Sequence, residues 1–126
     1  LGDVYKRQLS ITPSSASNKI LISLHFMYGN SASVVNSCQL LRNTDVIALG
    51  DATNTLGNVW LAHNQNGTGF GNFGINYLDT PNSSSELIYK LQVLSGSGGT
   101  LKINARNDNN SLSERVGSLT LMEIAG

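Results

Sequence analysis

One cysteine, two prolines and one tryptophan stand in a chain of 126 residues, and each scarcity removes a class of explanation. A single cysteine, Cys38, rules out an internal disulfide and a four-cysteine metal site. It lies in the apolar run VVNSCQLL and reads as a small buried hydrophobe, not as a reactive thiol. Charge is also scarce: 13% of residues carry it, about half the usual share, and the formal net charge is zero. With no basic surplus to neutralise phosphates, nucleic acid is not an expected partner. No apolar run approaches the roughly 18 residues that a membrane-spanning helix needs, so no membrane insertion is expected, and no signal peptide is visible.

What fills the gap is Gly, Asn, Ser and Thr. These residues form turns readily and helices poorly, because they add backbone entropy or compete for backbone hydrogen bonds. Hydrophobic residues still make up 40% of the chain. The combination predicts many short strands joined by turns around one core, and 126 residues is one domain's worth.

The stretch DVYKRQ, residues 3–8, differs from the rest by packing two adjacent cations beside an acid and an aromatic. Back-translated as GAT GTG TAT AAG AGA CAG, it resembles the end sequence of the transposon used to fragment DNA for sequencing libraries. Residues 1–8 are therefore expected to be an adaptor-derived or disordered segment on an environmental sequence fragment, and residues 9–126 a single domain at the C-terminal end of a longer protein. Removing Lys6 and Arg7 from the eight cations and Asp3 from the eight anions leaves six and seven, so the domain is nearly neutral either way.

Period-two alternation marks the strands. In NKILISLHFMYG, Ile20, Ile22, Leu24, Phe26 and Tyr28 share one apolar face, and Leu21, Ser23, His25 and Met27 share a mixed one. RNTD is the turn of a hairpin between CQLL and VIALG. VWLAH, FGINYL, SELIYKLQVLS, TLKINAR and GSLTLMEIAG supply further strands. About eight strands with turns between them, and no window with a helical period and credible caps, predict an antiparallel sandwich or barrel.

The last strand is apolar on both faces. Leu119 and Leu121 face one way, with Glu123 near the end; Thr120, Met122 and Ile124 face the other. A sandwich strand ordinarily buries one face and wets the other. A second cover is therefore expected, and another copy of the chain supplies it.

ITPSSASNKILISL, YLDTPNSSSELIYKLQV and the closing GSLTLMEIAG resemble the C-terminal head domains of tail-fibre-like proteins of marine bacteriophages. The most specific residues are Tyr77, Leu78, Asp79, Pro81, Tyr89, Lys90 and Gln92. The resemblance implies an all-β antiparallel jelly-roll sandwich similar to C1q and tumour-necrosis-factor-like domains, assembled as a homotrimer. It implies a distal head of a tail fibre or virion appendage, extracellular on the virion surface, that binds a host-surface glycan or protein. A passive trimerisation or virion-decoration domain and a secreted lectin-like bacterial module are the alternatives. Tyr89, Leu91, Leu119, Leu121, Met122 and Ile124 are the expected trimer-interface residues.

No arrangement for catalysis stands out. His25 sits mid-strand and His63 closes VWLAH; no G-x-S-x-G turn and no H-E-x-x-H occurs. Asp45, Asp51, Asp79, Glu86, Asp108, Glu114 and Glu123 are not spaced as the paired carboxylates of a glycosidase would be. The expectation is a non-enzyme without cofactor. Asn107, Asp108 and Asn109 group oxygen ligands that suit calcium, but without EF-hand spacing they read first as turn residues. HNQNGTGFG is the best recognition candidate. Trp60 and His63 flank Asn64, Gln65 and Asn66, whose amides suit sugar hydroxyls, and the glycines admit close backbone approach.

Overall fold

The computed structural model describes residues 7–31, 35–49, 60–63, 71–95, 99–105 and 116–126, with the backbone alone at Val35, at 60–63, and at Leu94 and Ser95. The strands are β1 (Gln8–Ile11), β2 (Lys19–Asn30), β3 (Val35–Arg42), β4 (Asp45–Ile47), β5 (Trp60–His63), β6 (Gly71–Asp79), β7 (Leu87–Ser95), β8 (Leu101–Ile103) and β9 (Ser118–Ile124). No helix occurs among the described residues. Pairing begins at Gln8, one residue inside the segment set apart by its composition.

All pairings among the described residues are antiparallel, in two sheets. One runs β1-β7-β3, with β4 and β5 both along the far side of β3; the other runs β6-β2, with β8 and β9 both along the far side of β2. β4 faces Leu40 to Arg42 and β5 faces Val35 to Cys38, so the two run in the same direction and form one interrupted edge strand. β8 and β9 stand in the same relation along β2. Among the described residues, nine strands thus fill seven places.

The pairing is nested. β3 pairs with β4 and β5, β2 with β6, and β1 with β7, as in a long hairpin wrapped so that successive pairs fall in alternate sheets. The tip is the RNTD turn. Asn43 takes φ 54°, a left-handed conformation that asparagine tolerates, and its side chain accepts from Ile88 N at 2.9 Å while its own N donates to Ile88 O at 2.7 Å.

The two sheets pack face to face, as alternation predicts. Leu24, Phe26 and Tyr28 of β2 meet Cys38, Leu91 and Val93 at one end of the core; Ile20 and Ile22 meet Leu40, Leu87 and Tyr89 at the other. A polar clasp closes this second end. Asp79 of β6 receives Arg42 Nη1 at 2.9 and 3.0 Å and the Tyr89 hydroxyl at 2.6 Å, so one carboxylate ties β6 to β3 and β7 across the sandwich. Where β8 gives way to β9, Asn104 (φ 56°) donates its N to Met27 O at 2.7 Å and accepts from Met27 N on its side-chain oxygen at 3.1 Å. One residue thereby satisfies the backbone of β2 across the break.

Candidate functional site

The outer face of the second sheet carries an unusual row. Register places Leu21 directly opposite Leu78 on one side and Met122 on the other. Directly opposed residues of an antiparallel pair stand about 5 Å apart at Cβ, so the three make a continuous apolar bar across β6, β2 and β9. Leu78 is 47% exposed, Met122 52% and Ile124 36%. Ile124 sits opposite Lys19, one step outside the bar.

Beyond the bar the face is small and uncharged. Asn76, Ser23 and Thr120 form the next row, then Gly74, His25 and Ser118. Lys19 lies at one end and Lys102, opposite Gly29, at the other. Among the described residues of this face there is no carboxylate. Isolated exposed hydrophobes are ordinary, whereas a contiguous group on a charge-poor surface marks a contact.

The expected interface residues divide sharply. Tyr89 is 0% exposed and Leu91 1%, both packed between the sheets of a single chain, so neither offers surface to a neighbour; their place in the proposed interface is corrected to a place in the core. Leu119 and Leu121 are half-buried and pack against the core as well. Met122 and Ile124 do stand on the outer face. Leu21 and Leu78 complete the bar but were not singled out as interface residues. Alternation in the strand around GINYL carries the signal for Leu78, since Ile75 and Tyr77 pack on the core and Leu78 must point away.

Of the recognition candidates, Trp60 and His63 lie on β5, at the edge of the first sheet and not on the face just described. Asn64, Gln65 and Asn66, and the calcium candidates Asn107, Asp108 and Asn109, lie outside the described residues. His25 is exposed at the centre of the outer face.

Other polar groups serve the fold. Glu123 Oε1 accepts from Ser14 N at 2.7 Å, Ser14 Oγ at 2.8 Å and Asn18 Nδ2 at 2.6 Å. The hydrogen bonds from Asn18 and Ser14 hold its carboxyl below the usual range. Burial pushes the Cys38 thiol up to about 12, which keeps it protonated and unreactive. A cavity of about 10 Å³ beside Cys38, Phe26 and Phe73 is at the lower limit for a single water and holds no larger ligand. No protein-family model matches the chain, and no curated protein matches it either.

Proposed function

We propose that this domain is the homotrimeric jelly-roll head of a phage tail fibre or related virion appendage, and that the Leu78–Leu21–Met122 bar with Ile124 is where its copies meet. The observation that carries the reading is that bar: an apolar row spanning three strands, exposed at Leu78 and Met122, on a face with no carboxylate among its described residues. Identical copies meeting on such a face bury no like charges except at its two lysine ends, where water remains available. The nested strand pairing supports a jelly roll, an architecture frequent in viral capsid and lectin domains. The resemblance of three sequence segments to phage tail-fibre heads supplies the biological setting.

The ligand side is the opposite one. β5, whose end His63 opens the HNQNGTGFG segment, lies at the edge of the first sheet and not on the face of the second sheet where the copies would meet. The proposed partner there is a host-surface glycan or protein, bound without turnover. Three identical sites act together, so each can be individually weak.

Light scattering at micromolar concentration tests the assembly. The expected mass is that of a trimer, and Met122→Glu combined with Leu78→Glu yields a folded monomer. A monomeric wild-type chain overturns the interface. Adsorption to host cells tests the ligand: Ala substitution of Asn64, Gln65 and Asn66 abolishes binding by the trimer. Unchanged adsorption assigns the domain to passive trimerisation or decoration instead.

A further inference from the structure

We infer that the edge of β9 facing away from β2, which pairs with no other described strand, is a docking edge for a β-strand, and that its occupant is the segment immediately preceding Leu9 in the natural protein, on the reading that residues 1–8 of this chain are foreign to it. Three independent features converge on that edge.

The first is the nesting. β1, β2 and β3 each have their counterpart in the wrapped hairpin, namely β7, β6 and the β4–β5 strand. The β8–β9 strand pairs with β2 alone among the described residues and has no nested counterpart. The next member of the series is a strand before β1, in the second sheet, beside β9. It would give each sheet four strand places.

The second is the direction of the main chain. Met27 turns both its N and its O toward Asn104, on the β8–β9 side of β2. Alternation along a ladder then has Lys19, Leu21, Ser23 and His25 bond to Ile124, Met122, Thr120 and Ser118. The N–H and C=O groups of Leu119, Leu121 and Glu123 consequently point out of the sheet. Gly117 has the same parity, and its carbonyl accepts from Arg7 Nη1 at 2.7 Å. The chain entering β1 therefore already touches the first position of this edge. A strand antiparallel to β9 ends there. A parallel one would end beside Ile124, seven residues or about 23 Å away at strand rise, too far for a short connection.

The third is a groove of about 230 Å³ lined by Arg7, Gln8, Leu9 and Leu119. Leu9 sits opposite Tyr89, on the side of β1 that faces the core, yet it is 43% exposed. Inward-facing side chains from an added strand fill this groove and bury Leu9. An unpaired edge of this kind is a ready template for strand addition.

Amide hydrogen exchange resolved by residue tests the inference, on this 126-residue chain and on the longer natural gene product, which carries its own sequence upstream of Leu9 in place of residues 1–8. In the shorter chain Thr120 and Met122 are protected and Leu119, Leu121 and Glu123 exchange fast. In the extended chain the latter three slow by about tenfold or more. A peptide of the upstream segment added to the shorter chain gives the same protection if the extended chain proves insoluble. Fast exchange at all three residues with the upstream segment present overturns the inference. Protection in the shorter chain that grows with its concentration also overturns it, by assigning the edge to a second copy. Neither result bears on the outer face, so a failure here leaves the trimer reading standing.

Discussion

Tyr89 and Asp79 meet across the sandwich: the hydroxyl of Tyr89, wholly buried, donates to Asp79 Oδ2 at 2.6 Å. The same carboxylate holds Arg42 at 2.9 Å. Burial first, and then the bond to Asp79, push the tyrosine well above its ordinary range, so it stays a neutral donor at any physiological pH.

This arrangement predicts an asymmetric mutational response. Asp79→Ala strips Arg42 and Tyr89 of their shared acceptor inside the molecule. Breaking a buried pair on one side costs about 3–5 kcal/mol, and the lower end is expected because the Arg42 side chain is partly exposed. Tyr89→Phe removes one hydrogen bond and leaves Asp79 its arginine, for a loss of about 1–2 kcal/mol. Urea denaturation of the variants checks the order. Equal losses would mean that the clasp does not act through Asp79.

The clasp also explains what was legible in the sequence. Strands and faces followed from alternation, since Ile20 to Tyr28 and Leu87 to Val93 are buried at every second residue. Asp79 and Tyr89 stood out as part of the most specific segment of the resemblance, and their role proves to be fold closure. Glu123 likewise joins the opening TPSSASN turn to the closing strand, linking two further segments of the resemblance. The interface was only half legible. Period two says which residues of β9 share a face, but the register that aligns Leu21, Leu78 and Met122 is a long-range property. Tyr89 and Leu91 were misplaced because an apolar strand face reads the same whether a second sheet or a second copy covers it.

Gly71 leaves no space for a side chain where it stands. It pairs with Tyr28, and a Cβ there would lie 1.9 Å from the tyrosine ring. The ring is buried and belongs to the same core cluster as Phe26 and Cys38. Gly71→Ala is expected to destabilise by about 1–3 kcal/mol through overpacking. Tyr28→Leu in the same chain frees the space, so the glycine substitution costs less in that background. A thermal-melt cycle of the four chains measures the coupling; strictly additive losses would show that the ring is not what Gly71 accommodates.

Glu123 makes the fold sensitive to acid in a defined window. Its carboxylate accepts hydrogen bonds from Asn18 and Ser14, and these lower its folded pKa below the ordinary value of 4.5. The unfolded chain therefore takes up this proton at higher pH than the folded one. Stability from the group is complete above about 4.5, and it is lost as pH falls through the depressed folded value. Glu123→Gln keeps a side-chain oxygen for Ser14 and Asn18 but removes the titration. Its unfolding midpoint should vary less than that of the wild type between pH 5 and pH 3, two limits set roughly one unit either side of the carboxylate range. Urea titrations across that interval decide the matter: parallel wild-type and variant curves would place the acid sensitivity in other carboxylates.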